Sequence, residues 1–338
     1  MTRFLLYFSL VITAAFASCS NDPKSLHDML PRAGGRLGEV VVVMPDDQWK
    51  GLAGQAIRDA FYDSYLLLPQ HETHFDLNHR NQGDFRRFFK EHRNILMVSI
   101  EDHIDNQDAS SVAIKDKYAK NQTIMEIRAR NTDEFLKEFG LKSDVIIDYF
   151  HRAEMDRELL NVRAKPNPEA SQLLKEKFGI SMSLPSAYKE VETDSTFSFF
   201  KLNFDTRNPD LDKGFFVYTF PYISDSTFSL TYLLRERERI TTEYVHGSIP
   251  GSYMTTEYFY EPILDTLEIN GRFTTRIRGL WKMEKEFLGG PFVSYSFVDG
   301  TGTQIITVES YVFAPHEDKR DHMRAGEAIL TTARSLGE

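Results

Sequence analysis

The densest group of metal-ligating side chains in the chain is His71, His74 and His79, with Glu72 and Asp76 between them. In an extended segment His74 and Asp76 share a face while His79 takes the other, and His71-Glu72-Thr73-His74 is one residue short of the helical HExxH zinc pattern. That spacing favours a solvated strand edge over a metal site. Arg272, Arg276 and Arg278 differ, because even spacing puts all three on one face of a strand, where they could receive a carboxylate, sulfate or phosphate; a solvent-facing sheet surface is the plainer reading. Arg235, Glu236, Arg237, Glu238 and Arg239 alternate in sign within helical sequence, the pattern of a solvated helix face. Ser248 and Ser252, in the loop 246–253 (HGSIPGSY), lack both the Gly-x-Ser-x-Gly frame and the strand-before, helix-after setting of a nucleophile elbow. Gly300-Thr301-Gly302 reads as a hairpin turn and not as a phosphate loop. Tyr253, Tyr258, Phe259 and Tyr260, flanked by Pro250 and Pro262, offer a stacking platform for a sugar or a partner strand, although core packing explains alternate members equally well. No catalytic set, metal site or cofactor is expected.

One further residue has its own chemistry, and it is the only cysteine among the 338 residues. The first eighteen residues read as a signal peptide: Arg3 precedes an apolar run that ends in the small residues Ala17 and Ser18. The run is shorter than the roughly 20 apolar residues of a comfortable membrane span. Phe16-Ala17-Ser18-Cys19 resembles the lipobox of bacterial lipoproteins, with Phe16 where that motif usually has Leu. The resemblance implies that Cys19 is lipidated and becomes the new N-terminus; the alternatives are a spare cysteine behind an ordinary signal or an uncleaved anchor. Each buried methylene contributes about 0.8 kcal/mol, so two or three acyl chains hold the body firmly on a membrane. Residues 20–36, with Pro23, Pro31, Gly34 and Gly35, read as a flexible tether.

Composition bounds the partners. A net charge of −10 argues against nucleic acid, which needs a surplus of Lys and Arg, and against peripheral binding to anionic lipid. Hydrophobic content of 41% and aromatic content of 13% supply a packed core, and the length suggests two domains.

These candidates must be positioned by elements of two kinds. Residues 39–44 (EVVVVM) and 94–100 (NILMVSI) read as buried strands, 74–79 as an alternating strand, and the stretch from Asp46 to Phe61 as a helix with Trp49, Leu52, Ala53, Ala56, Ile57, Ala60 and Phe61 on one stripe. Residues 82–91 look helical with Phe85, Phe88 and Phe89 inward, 111–118 and 122–130 form a hairpin, and helices at 132–139 and 143–164 are separated by Gly140. Lys165-Pro166-Asn167-Pro168 marks the boundary between an α/β domain (37–165) and a second domain (166–338). There, after a helix at 169–178, aromatic strands at 196–204 and 214–220, the Asn270-Gly271 hairpin and the pair 291–298/303–313 make an antiparallel sheet. Helices at 226–244 and 316–336 cover it, burying one face. The fold class expected is α+β, a mixed α/β chain.

Gly38-Glu39-Val40-Val41-Val42-Val43 ahead of Trp49, Leu68-Pro69-Gln70-His71-Glu72 with Phe75, and Arg93-Asn94-Ile95-Leu96 together resemble the Bacteroidota lipoprotein family called domain of unknown function 4837. That resemblance implies the envelope of a Gram-negative bacterium and lends no activity. The second half, entered at Leu184-Pro185-Ser186-Ala187-Tyr188, is loosely similar to the Mog1 and PsbP-like α/β/α sandwich. The function expected is therefore non-catalytic binding or assembly of an envelope protein or polymer by a lipid-anchored protein, with the outer membrane as the expected location. The alternative is an envelope hydrolase or other enzyme acting on glycan or peptide. A histidine cluster or buried carboxylate pair lining one cleft would reverse that ranking. Replacing the thiol tests the anchor: Cys19→Ala is expected to abolish incorporation of radiolabelled fatty acid and membrane retention, and label entering the variant would defeat the lipidation reading.

Overall fold

The computed structural model describes residues 29–65, 67–102, 110–202, 208 and 210–336; Cys19, the signal segment and the tether up to residue 28 lie outside the described residues. The first half runs β1 (Glu39–Val43), α1 (Asp46–Lys50), α2 (Leu52–Phe61), β2 (Asp76–Arg80), α3 (Arg87–Lys90), β3 (Asn94–Ile100), β4 (Ser110–Lys115), β5 (Thr123–Ala129) and α4 (Thr132–Ala164). Its sheet has the order β2-β1-β3-β5-β4, parallel except where β4 meets β5. The valine run of β1 is buried on both sides, as a central parallel strand requires. Val40 and Val42 face Ile57, Phe61 and Phe150, while Val41 and Val43 face Phe85, Ile95 and Ile124.

Local details depart from expectation for identifiable reasons. The first helix breaks at Gly51, whose extended backbone (ψ −167°) separates α1 from α2, and Leu52 points to solvent instead of joining the stripe. Only one turn, α3, forms between residues 82 and 91; Phe85 and Phe89 pack inward, but Phe88 is 77% exposed. Gly140 does not end a helix. A glycine costs a helix interior about 1 kcal/mol, too little to halt a turn that buries Phe135 and Phe139 before it and Ile146, Ile147 and Phe150 after it, so α4 runs on for 33 residues from its Asn131 cap. The expected free tether also ends early. The amides of Ala33 and Gly34 donate to the carbonyls of Lys120 and Glu91, and Lys120 and Arg93 donate back to Pro31 and Gly34. Those pairs dock residues 31–34 against the body.

The second half runs α5 (Pro168–Phe178), β6 (Ile180–Ser181), β7 (Tyr188–Asp194), β8 (Phe197–Leu202), β9 (Asp212–Pro221), α6 (Leu230–Tyr244), β10 (Met254–Glu257), β11 (Ile263–Ile269), β12 (Arg272–Met283), β13 (Gly289–Val298), β14 (Gln304–Phe313), α7 (Arg320–Leu330) and β15 (Arg334–Ser335). The antiparallel sheet has the order β10-β12-β13-β14-β9-β8-β7, with β11 also paired to β12, and Asn270 (φ 54°) and Gly271 (φ 79°) make the tight turn between β11 and β12. Both faces of this sheet are covered, not one. Phe215, Val217, Tyr295 and Val308 pack with α5 and α7, whereas Phe216, Tyr218, Phe292 and Tyr311 pack with α6. The last helix is shorter than expected, and Leu336 is exposed. The charge run in α6 is also not wholly solvated. Two helical residues subtend about 200°, so Arg237 points opposite to Arg235 and Arg239, and its buried guanidinium bonds Glu309 of β14 at 2.7–3.0 Å.

The halves meet where α7 lies against α4. Glu72, in the loop before β2, sends its two carboxylate oxygens to the backbone N–H groups of Lys319 (2.9 Å) and Arg320 (2.8 Å), capping α7 from the other half. Arg320 returns a bond to the Thr73 carbonyl at 3.0 Å. Glu72→Ala removes both caps from a buried position and is expected to cost about 2 to 3 kcal/mol, with Glu72→Gln less damaging, read as thermal unfolding. An unchanged melting temperature in Glu72→Ala would mean that this carboxylate does not tie the halves together.

Candidate ligand-binding cleft

Between α4 and the β11–β12 side of the second sheet lies a cleft of about 530 Å³. The strand geometry brings Arg276 and Arg278 to it, because β12 presents alternate residues on the α7 face, and Tyr295 stands directly across from Arg276 on β13. Helix α7 adds Arg324 and Glu327 one turn apart, α4 adds His151, and the loop between α2 and β2 adds Tyr65 and His74.

Glu327 is the centre of the wall. Its Oε1 accepts from Arg276 Nη1 (2.8 Å), Arg278 Nη2 (2.8 Å) and the Tyr295 hydroxyl (2.8 Å), and Oε2 accepts from Arg278 Nη2 (3.1 Å). Burial alone would raise this carboxyl, but Arg278, Arg276 and the Tyr295 bond outweigh it and hold it below the usual range. Burial first, then the Glu327 charge, pushes the Tyr295 phenol well up, so it stays a donor. Arg276 also donates through Nε (2.9 Å) and Nη2 to Asp265 of β11.

Beside this cluster two imidazoles meet: Nδ1 of His74 lies 3.1 Å from Nε2 of His151. Arg324 Nε donates to Nδ1 of His151 at 3.0 Å, and since a guanidinium can only donate, that nitrogen carries no hydrogen. Nε2 of His151 then holds the ring's hydrogen and gives it to Nδ1 of His74, which leaves the hydrogen of His74 on its own Nε2. This tautomer assignment follows from the bonding pattern. Burial, then the charges of Arg324 and His74, push the His151 pKa far down; burial is also the main cause of the lowered pKa of His74. Arg324 is itself held by Asp321 (2.8 Å) and the His74 carbonyl (3.1 Å), over the ring of Phe75.

Of the residues singled out by spacing, Arg276, Arg278 and His74 come together here. Arg272 does not, since it lies over the Phe297 ring at 4.9 Å near the hairpin end. His71 is exposed, and His79 stacks on Trp49 and contacts the Met44 carbonyl, so the three histidines are not gathered; among the described residues no group of three or more His, Cys, Asp or Glu is placed to hold a metal. Tyr258, Phe259 and Tyr260 form an exposed patch between β10 and β11, with the Tyr258 hydroxyl on Glu238 at 2.8 Å, while Tyr253 is half-buried at the other end of β10. Ser248 donates to Glu286 at 3.1 Å, and Ser252 is buried. Spacing missed His151, Arg324, Glu327, Tyr65 and Tyr295. The available signal was a polar pair, Arg324 and Glu327, within the apolar stripe of the last helix.

Residues 167–332 match the family described as domain of unknown function DUF4837, and residues 33–163 match a second, domain of unknown function DUF8532. The DUF4837 resemblance thus holds in the second half, whereas the residues between 38 and 96 that suggested it fall in the segment of the other family. No curated protein matches the chain. Among solved structures, the Ran-binding protein Mog1p of Saccharomyces cerevisiae is 9% identical, covering 47% of this chain and 90% of its own at a TM-score of 0.32. A Bacteroides thetaiotaomicron protein is 14% identical over 47% of this chain and 46% of its own, at 0.20. The human StarD13 lipid transfer and protein localization domain is 14% identical over 48% and 95%, at 0.23.

The histidine pair makes stability depend on pH. A ring with a lowered folded pKa is neutral in the native state and protonated in the unfolded chain, so its contribution is present above the unfolded value of about 6.5 and is lost as pH falls below it. His151→Gln, which can still accept from Arg324, is expected to flatten the fall in stability between about pH 6.5 and 5 by up to about 1.4 kcal/mol per pH unit. Denaturant unfolding across that window checks this, and parallel slopes for the two proteins would contradict a neutral buried His151.

Proposed function

We propose that the protein is a lipid-anchored lipoprotein of the bacterial cell envelope, at the outer membrane, and that it holds a partner protein or envelope polymer by receiving one of its groups in the cleft. The observation that carries the reading is the cleft itself. Its walls come from both halves, its side chains are fixed by one another, and a few convergent polar groups line it, the usual form of a binding site. Lipidation of Cys19 would keep this site beside the membrane, and the net charge of −10 argues against nucleic acid as the partner. Among the described residues no helix is long and apolar enough to cross a membrane.

A second reading, an envelope hydrolase, is favoured by one feature, the His74–His151 pair in the cleft wall. Its bonding weakens that reading. A general base needs a free nitrogen lone pair, yet both nitrogens of His151 and Nδ1 of His74 are engaged, and the remaining Nε2 of His74 carries the hydrogen. Binding therefore ranks ahead of turnover.

The test fills the cleft from its exposed rim. Asp148→Trp, exposed on the α4 wall beside His74, is expected to abolish crosslinking of the native partner on cells while changing the melting temperature little. Crosslinking that persists in Asp148→Trp removes the cleft from the partner interaction, and turnover of a glycan or peptide that is lost in His74→Gln would favour the enzyme.

A further inference from the structure

We infer that the group received in the cleft is a single oxyanion, a carboxylate or a phosphate ester, taken by Arg278 together with Tyr65 and His74. This inference rests on the binding reading above and names the chemistry of the bound group. It follows from the hydrogen-bond donors that the wall leaves unused. On the acceptor side, Glu327 already receives Arg276, Arg278 and Tyr295, and both oxygens of Asp265 receive Arg276.

On the donor side, valences remain. Nε and Nη1 of Arg278 make no hydrogen bond among the described residues; the nearest carboxylate to Nη1 is Asp265 at 3.9 Å, too long for one. The Arg278 side chain is 18% exposed, and these donors face the cleft without a protein acceptor. The Tyr65 hydroxyl likewise makes no hydrogen bond among the described residues, and Nε2–H of His74 is unengaged. The three side chains line the same cleft.

Ligand class follows from this imbalance. The unused groups are donors, two of them on a cation, and a carboxylate or phosphate oxygen accepts from them and brings the opposite charge, which a sugar hydroxyl or an amide does not. Charge-assisted bonds from an arginine are the strong kind. The charges in and around the cleft are close to balanced, with Arg152, Arg276, Arg278 and Arg324 set against Asp148, Asp265, Glu327 and Asp321. That balance offers a polyanion no run of cations, and the unused donors serve one anionic group.

Titration calorimetry on the full chain with acetate, inorganic phosphate and maltose separates the outcomes. Binding of acetate or phosphate but not maltose is expected, and which anion binds distinguishes a carboxylate source from a phosphate source. Arg278→Gln is expected to weaken that binding about tenfold or more. Because Arg278 also holds Glu327, a second variant carries the test: Tyr65→Phe removes only a hydroxyl that has no protein partner, and should weaken anion binding about three- to fivefold with an unchanged melting temperature. Binding of neither anion, preferential binding of maltose, or an anion affinity unchanged by both variants overturns the inference. Loss of partner crosslinking in Asp148→Trp without anion binding to the unaltered protein would leave the binding role standing and remove the oxyanion; anion binding with crosslinking intact in Asp148→Trp would do the reverse.

Discussion

Everything else in the structure accommodates the charges that α7 buries. Eight of its eleven residues are buried, and three of those are Arg320, Arg324 and Glu327. A charge withdrawn from water is tolerated only when its hydrogen-bonding capacity is met elsewhere. Arg320 finds the Thr73 carbonyl and Asp76, Arg324 finds His151 and the His74 carbonyl, and Glu327 finds two arginines and a tyrosine of the second sheet. The partners lie on both halves of the chain. Their demand fixes how α4, the loop through residues 72–76 and strands β12 and β13 sit around one helix, and the cleft is the space that this arrangement leaves open.

The same demand decides what the histidines can do. Arg324 occupies the acceptor nitrogen of His151, which sets the tautomer of both rings through one hydrogen bond between them. Protonating His74 at Nδ1 would place two hydrogens between the rings, and protonating His151 would place a second cation against Arg324. The pair is therefore held neutral, with a donor toward the cleft. A deeper polar group does comparable work for α4: Arg157 donates to the carbonyls of Asn121 and Arg93 and to the Asn94 side chain, while Asn94 donates to Glu154, which pins the helix across the entry ends of β3 and β5.

Much of this fold was legible because its signals are local. The valines of β1, the Asn270-Gly271 turn, and α5 with Asn167 before Pro168 and Gly179 after Phe178 each state their conformation within a few residues. The misses are cases where tertiary packing decided. Gly140 lies in a helix whose flanking aromatics hold it straight through. The consecutive buried residues Phe215, Phe216, Val217 and Tyr218 spell a strand covered on both faces, where one buried face is expected from the sequence. The site was half legible: period two found Arg276 and Arg278, yet the partner of His74 lies 77 residues away and is set by α4 docking, which no spacing rule reaches.

The second sheet contains an internal comparison that separates structural charge from functional charge. On the α6 face, Arg237 meets Glu309 with side-chain exposures of 1% and 0%, and Thr256 and the Phe292 ring complete its surroundings. Burial raises the Glu309 carboxyl despite Arg237, the mark of a pair paying for desolvation inside a closed core. On the α7 face, two arginines share Glu327, the carboxyl is held low instead of raised, and part of one guanidinium is left over. The chemistry is the same on both faces, an arginine against a carboxylate on the strands of one sheet. What differs is access: one face is closed around a single pair, the other opens to a cleft in which Asp265 and Glu327 leave two donors of Arg278 unused. A pair needed only for folding has no use for surplus donors facing solvent, and that asymmetry is the physical reason to assign the α7 face, and not the α6 face, to a ligand.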